Sequence, residues 1–72
     1  PDLQWYVDST ISLIERAGEF VSDEIWFRVV QIVTNHDELQ QYAVKKCVDA
    51  LRNGSSHETM IKIAGYIIGE FG

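Results

Sequence analysis

The sequence predicts an all-α fold, a segment of an α-solenoid made of two antiparallel helical hairpins with four helices in all. Apolar residues recur at helical spacing along most of the chain, and four sets of capping or terminating residues divide it. The second half also repeats the first at an offset of 36 residues. With 46% hydrophobic and 24% charged residues, the 72-residue chain has a globular composition.

The first predicted helix runs from about Asp2 to Ala17, and Gly18 marks its end. Ser22 caps the second, whose first turn is acidic, as the helix dipole favours. The main apolar stripes contain Leu3, Val7, Ile11 and Ile14 in the first helix and Ile25, Val29 and Ile32 in the second. A further stripe of Trp26, Val30 and Val33 makes the second helix wider than one buried face requires.

Capping boxes define the second pair of helices. Asp37 with Gln40 opens the third, which closes at Asn53 and Gly54, and Ser55 with Glu58 opens the fourth. Their apolar positions are Leu39, Ala43, Cys47 and Leu51 in the third helix, and Met60, Ala64, Ile67 and Phe71 with Ile61 and Ile68 in the fourth. The short loops predict that sequential helices pack as hairpins.

A weak internal repeat joins the two halves. "DLQWYV" from Asp2 matches "ELQQYA" from Glu38, which divides the chain into repeats of about 1–36 and 37–72. A repeat of this length built of paired helices indicates a HEAT- or armadillo-like solenoid. Since about three such units are normally needed for stability, we expect the chain to be part of a longer array.

The predicted core combines one or two residues from each stripe. Gly65 and Gly69 lie four residues apart and are expected to allow a close helix crossing inside the stack. The same glycines fit neither a dinucleotide fingerprint nor a phosphate loop. The core prediction comprises Leu3, Ile14, Ile25, Val29, Leu39, Leu51, Ile61 and Ile67.

Composition argues against several classes of function. A net charge of −5 counts against nucleic acid as a partner, and no apolar run is long enough to span a membrane. The single cysteine, Cys47, is predicted to be buried and inert, and it favours a reducing compartment. His36 and His57 lack the spacing of metal ligands, so loop or capping roles are expected. No cofactor, metal site or catalytic group is predicted.

Two groups of side chains are candidates for partner contact. The bases Lys45, Lys46, Arg52 and Lys62 are the main basic cluster, which would suit an acidic segment or an anionic lipid headgroup, although most such clusters are solvated. The aromatic group of the first hairpin is expected to be mainly core, with some members reaching a partner subunit. It contains Trp5, Tyr6, Trp26 and Phe27.

The strings "LQWYVD", "RAGEFVSDEIWFRVVQIVTN" and "HETMIKIAGYIIGEFG", in this order and spacing, resemble the trunk of the large adaptins. The resemblance covers nearly the whole chain, and "SDEIWFRVV" and "GYIIGEFG" favour the alpha type over the gamma type. Ser9 and Thr10 are more polar than the corresponding positions of the family, and "KKCVDALRNGSS" follows the family only loosely.

The resemblance implies a scaffold subunit and not a catalyst. Alpha-type adaptins assemble with a beta-type large chain, a medium chain and a small chain, and the complex gathers cargo and clathrin at the plasma membrane. The resemblance would place this chain in the cytoplasm, peripheral at the plasma membrane in clathrin-coated pits, with the clathrin coat and the membrane reached through the complex. No residue here matches the phosphoinositide site or the ear domain of the family. The alternatives are a gamma-type adaptin, an unrelated solenoid such as a nuclear transport receptor, and a small independent enzyme or ligand-binding bundle.

Overall fold

The computed structural model describes residues 2–55 and 57–72. It contains α1 (Leu3–Ala17), a 3₁₀ turn (Gly18–Phe20), α2 (Asp23–Asn35), α3 (Asp37–Arg52) and α4 (Glu58–Phe71). All the regular elements in this part of the chain are helical, which confirms the predicted all-α fold.

The four helices form two hairpins that pack side by side. The 3₁₀ turn connects α1 to α2, and the α3–α4 loop connects the second pair. Gln41 near the start of α3 donates a hydrogen bond to the carbonyl of Phe71 at the end of α4, at 3.1 Å. The second hairpin is therefore antiparallel, as predicted.

Helix ends follow the predicted punctuation in part. The carboxylate of Asp2 accepts a hydrogen bond from the Trp5 amide at 3.2 Å, which caps α1. Ser22 is the N-cap residue of α2, but its hydroxyl makes no capping hydrogen bond. Gly54, which was predicted to close the third helix, lies just after α3 and has a φ of +89°.

Both predicted capping boxes are wrong. The N-cap residue of α3 is His36 and not Asp37. Gln40 donates to the Asp37 side chain at 3.3 Å, whereas in a capping box its side chain would accept from the backbone amide of the N-cap residue. His57 is the N-cap residue of α4, while Ser55 donates its hydroxyl to the Glu15 carbonyl at 3.2 Å. A contact with the first hairpin has thus replaced a local cap. The two histidines do lie at helix junctions, as expected.

One core lies between the four helices. Of the predicted core residues, Ile14, Val29, Leu39 and Ile67 are buried, and Leu3 is half-buried against the core. The central side chains that are fully or almost fully excluded from solvent are Val7, Ile11, Ile14, Val29, Val33, Ala43, Cys47, Ala50, Met60, Ile63, Ala64 and Ile67.

The predicted burial of Ile25, Leu51 and Ile61 is wrong within this unit, because their side chains are 37%, 39% and 53% exposed. Each belongs to an apolar stripe that continues around its helix beyond the side in contact with the other three. Periodicity shows that a face is apolar, but it does not show whether these four helices cover that face.

The expected close crossing at Gly65 and Gly69 is also wrong within the described unit. A Cβ atom at either position would have no neighbour within 4 Å. The close approach is at Gly18 instead, where a Cβ would lie 3.2 Å from the Cβ of His57 and 3.4 Å from that of Thr59. The 3₁₀ turn of the first hairpin thus packs directly on the start of α4.

Candidate functional site

A polar contact between α1 and α3 joins the two hairpins, and we call its four residues the α1–α3 latch: Asp8, Ser12, Tyr42 and Lys46. The Asp8 carboxylate accepts from the Lys46 ammonium at 2.8 Å and from the Tyr42 hydroxyl at 2.9 Å. Lys46 also reaches the Ser12 hydroxyl at 3.4 Å. The hydrogen bonds and the ion pair of the latch are directional, whereas hydrophobic packing in the core is not. The latch therefore fixes the lateral position of α3 against α1.

The electrostatics of the latch favour its charged form. The hydrogen bond from Lys46, followed by that from Tyr42, lowers the pKa of Asp8. The hydrogen bond to Asp8 in turn raises the pKa of Lys46. Burial, followed by the hydrogen bond to Asp8, raises the pKa of Tyr42, so its hydroxyl remains a donor. At neutral pH the latch is an ion pair with a neutral phenol attached.

A second set of polar contacts lies near the end of α1, where the α3–α4 loop meets the α1–α2 connection. Asn53 donates to the Glu15 carboxylate at 3.4 Å, near the Ser55 hydrogen bond to the Glu15 carbonyl. His57 Nδ1 lies 3.0 Å from the carboxylate of Glu19 in the 3₁₀ turn. These contacts tie the α3–α4 loop to the α1–α2 connection, so the interface is held by polar groups at two levels.

None of Asp8, Ser12, Glu15 and Tyr42 was among the residues predicted to be functional. The signal was present, since Asp8, Ser12 and Glu15 follow i, i+4, i+7 spacing and form a polar stripe beside the buried face of α1. A polar stripe of this kind is usually solvated. The partner on α3 could be found only by knowing how the hairpins pack.

The predicted basic cluster does not act as one group. Lys46 belongs to the latch, whereas Lys45 pairs with Asp49 at 3.4 Å and Lys62 with Glu58 at 3.2 Å, each one turn away on its own helix. Arg52 is exposed in the last turn of α3. The three lysines are therefore partly neutralised by acids of the same chain, and the idea of one shared anion site is not supported.

The predicted aromatic group is divided between the core and the surface. Trp26 is buried and donates its indole N–H to Asp23 at 3.0 Å, and Tyr6 is half-buried against the core. Trp5 and Phe27 are 66% and 56% exposed, which corrects the expectation that most of the group is core. Phe27 still packs on Trp26, with ring centroids 4.3 Å apart.

Cys47 is fully buried in α3, and burial raises the pKa of its thiol to about 12. This confirms the predicted inert thiol, because the reactive thiolate is almost absent near neutral pH. Across residues 2–55 and 57–72, no three His, Cys, Asp or Glu side chains group as metal ligands would.

A shallow hollow of about 420 Å³ lies between the starts of α1 and α3. It is lined by Asp2, Leu3, Gln4, Glu38 and Leu39, which include no combination of a nucleophile with a general base. In the described part of the chain, no helix is both long and apolar enough to cross a bilayer.

Comparison with known proteins gives a match to the family described as "Adaptin N terminal region" over residues 1–72. The chain is 57% identical, over its whole length, to AP-2 complex subunit alpha-1 of Arabidopsis thaliana. It is 59% identical to AP-2 complex subunit alpha-2 of Dictyostelium discoideum over 94% of the chain. Identity to AP-1 complex subunit gamma-1 of Arabidopsis thaliana is 32% over the whole chain. The chain spans only 7% of the length of either alpha subunit.

Proposed function

This chain belongs to the family of the adaptin N-terminal region, and on that premise we propose that it is a scaffold segment of an alpha-type adaptin. The parent protein would then be the large subunit of an endocytic clathrin adaptor complex. Identities of 57% and 59% to two AP-2 alpha subunits, against 32% to an AP-1 gamma subunit, support the alpha type over the gamma type.

The mechanism that we propose is mechanical. A shared core and the α1–α3 latch, with its 2.8 Å ion pair between Asp8 and Lys46, hold the two hairpins in one arrangement. This inter-hairpin packing is the observation that carries the proposal. A series of hairpins held in this way forms a stiff, curved rod, and the rod fixes the relative positions of the partner subunits.

The proposed partners are a beta-type large chain, a medium chain and a small chain. Clathrin and the membrane would be reached indirectly, through the complex, at coated pits on the cytoplasmic face of the plasma membrane. Membership of this family and relatives that are complex subunits support a structural role. A non-catalytic protein is accordingly part of the proposal.

The alternatives fit less well. A gamma-type adaptin should be more similar to gamma subunits than to alpha subunits, whereas the identity to the AP-1 gamma subunit is 32% and the identities to the two AP-2 alpha subunits are 57% and 59%. An unrelated solenoid, such as a nuclear transport receptor, does not agree with a family match over residues 1–72. An independent enzyme or ligand-binding bundle fits less well with a family match over residues 1–72 and with relatives that are named as subunits of complexes.

The test is affinity purification of the full-length parent protein from its own cells at moderate salt, followed by quantitative mass spectrometry. We expect a beta-type adaptin, a medium chain and a small chain in near-equal amounts, with a medium chain of the plasma-membrane type. A medium chain of the Golgi type would support the gamma alternative. Recovery of none of these chains, when a known adaptor stays intact in the same buffer, would refute the proposal.

A further inference from the structure

The loop between α3 and α4 begins with Asn53 followed by Gly54, and both residues are exposed. An asparagine side chain deamidates when the backbone nitrogen of the next residue attacks its carbonyl carbon. Glycine favours this attack, because it has no side chain to obstruct the nitrogen and leaves the backbone free to turn. The chain has one other asparagine, Asn35, which precedes the bulkier His36. Of the two asparagines, Asn53 is therefore the one at which this chemistry is favoured.

The reaction needs only water and hydroxide. Once hydroxide has removed the proton of the Gly54 backbone nitrogen, that nitrogen bonds to Asn53 Cγ and the Cγ–Nδ2 bond breaks. The leaving nitrogen takes a proton from water and departs as ammonia, which regenerates the hydroxide. One water molecule then opens the five-membered succinimide. Attack at Cγ gives an aspartyl residue, and attack at the main-chain carbonyl carbon gives an isoaspartyl residue. No group is oxidised or reduced.

The native fold holds the two reacting atoms apart. The ring contains Asn53 Cβ and the Gly54 nitrogen, so both must lie on the same side of the Asn53 Cα–C bond. At the observed ψ of 4°, the Gly54 nitrogen eclipses the Asn53 nitrogen instead, about 120° from the Cβ direction. The Gly54 amide also donates to the Leu51 carbonyl at 3.1 Å. Rotation to the reactive geometry breaks this bond, so deamidation requires local opening at the end of α3.

Contacts with the first hairpin resist this opening. The Ser55 hydroxyl donates to the Glu15 main-chain carbonyl at 3.2 Å, and the Asn53 side chain donates to the Glu15 carboxylate at 3.4 Å. Rearrangement of the loop releases both hydrogen bonds. The rate of deamidation is therefore the rate in a free peptide multiplied by the fraction of time for which the loop is open.

The products of deamidation change both contacts. A carboxylate at position 53 no longer donates to Glu15 and adds a second negative charge beside it. Arg16 lines the same hollow as Glu15 and Asn53, so it is positioned to offset part of that charge. The isoaspartyl product also adds one atom to the main chain before Gly54, which changes the loop length that brings Ser55 to Glu15. Both products weaken the contact of the loop with α1, and the isoaspartyl product weakens it more.

We propose that Asn53 is a site of spontaneous deamidation, that opening of the end of α3 controls its rate, and that its conversion loosens the contact between the two hairpins. The co-reactant of the site is water. The inference goes beyond the proposed function and does not depend on it, because the reaction involves only this loop. Since water does not restore the amide, the change accumulates with the age of the protein.

The experiment incubates the full-length parent protein, purified with its complex, at mildly alkaline pH and physiological temperature. Peptide mapping by mass spectrometry, with electron-transfer fragmentation to distinguish aspartate from isoaspartate, follows positions 53 and 35 over several weeks. We expect first-order conversion of Asn53 while Asn35 stays largely intact. Equal conversion at the two positions would overturn the proposal. So would an unchanged Asn53 after a synthetic peptide of residues 49–59 has been converted fully in the same buffer.

Ser55→Ala tests whether local opening controls the rate. The variant lacks the hydroxyl that bonds to Glu15, so we expect roughly fivefold faster deamidation of Asn53, as the loss of one hydrogen bond predicts. The matched control is Ser22→Ala, because the Ser22 hydroxyl makes no capping hydrogen bond, and its rate should equal that of the wild type. Equal rates in the two variants would overturn the control by opening.

Asn53→Asp isolates the effect of the aspartyl product. Hydrogen exchange of the amides at the end of α3 should be roughly fivefold faster than in the wild type, because a like charge replaces a hydrogen bond to Glu15. The matched control is Asn35→Asp, which adds the same charge at an exposed position at the end of α2. In the aged protein, peptides that carry isoaspartate should exchange faster still. The same exchange at the end of α3 in both variants would overturn the proposed loosening.

Discussion

Asp8 is the residue at which the contact between the two hairpins is most specific. Its carboxylate accepts from both Lys46 and Tyr42, so removal of Asp8 takes the charged partner from Lys46 and the acceptor from the Tyr42 hydroxyl at the same time. The Asp8 side chain is 39% exposed and that of Lys46 is 26% exposed, so water screens part of this interaction. We therefore expect the latch to contribute little to the free energy of unfolding, and to act mainly by fixing the alignment of α1 and α3.

We predict that Lys46→Met in the parent protein speeds local opening at the α1–α3 contact. The variant keeps the aliphatic part of the side chain but loses the ion pair. The free energy of local opening should therefore fall by about 1 kcal/mol, which makes amide exchange roughly fivefold faster. Hydrogen exchange of the amides in α1 and α3 measures it. The matched control is Lys45→Met, whose lysine is 76% exposed and pairs only with Asp49. Equal exchange in the two variants would contradict the role of the latch.

The pH dependence of the latch follows from the directions of its pKa shifts. The pKa of Asp8 is lowered from its usual 3.8, so its contribution is present above that value and is lost as the pH falls through the folded pKa. The pKa of Lys46 is raised from 10.5, so its contribution is present below that value and is lost as the pH rises through the folded pKa. The difference in the free energy of local opening between Lys46→Met and wild type should therefore stay constant between these limits. A change in this difference near neutral pH would contradict the assignment of the effect to Asp8 and Lys46.

Among the elements, α3 has the most sharply defined end. The amide of Gly54 donates to the Leu51 carbonyl and that of Ser55 to the Ala50 carbonyl, both at 3.1 Å. Together with the positive φ of Gly54, these bonds form a Schellman motif. The motif turns the chain so that Ser55 reaches Glu15 of the first hairpin. The end of one helix thus helps to position the next hairpin.

We predict that Gly54→Ala destabilises the end of α3 by about 1 kcal/mol, because a Cβ is unfavourable in the left-handed region. Asparagine tolerates that region better, so Gly54→Asn should destabilise the end of α3 by less and serves as the matched control. Hydrogen exchange at the end of α3 in the parent protein measures both. A Cβ would meet no atom within 4 Å there, so equal effects of the two substitutions would contradict a backbone origin.

The sequence was sufficient to predict the number, type and approximate limits of these helices, since periodicity and Gly18 and Gly54 mark them locally. It could not predict which apolar stripe the four helices cover, and so Leu51 and Ile61 were placed in the core although they are exposed. The capping box predicted at Ser55 failed for a related reason, because a tertiary contact from Ser55 to Glu15 took the place of a local one. The latch was missed because its partners are 34 or more residues apart.

Across the molecule, the two hairpins share one core and are joined by polar contacts at two levels of their interface. The latch lies near the middle of α1 and α3, and the contacts of Glu15 and Glu19 lie where α1 ends and the 3₁₀ turn begins. Two levels of contact resist both sliding and splaying of one hairpin against the other. We therefore propose that this segment is stiff, and that its stiffness is what it contributes to a scaffold.

The most direct test is the distance between spin labels on the two hairpins, measured by double electron–electron resonance in the assembled parent complex. Gln4→Cys on α1 and Lys62→Cys on α4 place the labels at exposed positions, after other accessible cysteines have been replaced. Cys47 can remain, because it is buried and its thiol pKa is raised to about 12. A single narrow distance distribution is the predicted result. A broad or two-peaked distribution in the intact complex would show that the two hairpins move against each other and that the segment is not stiff.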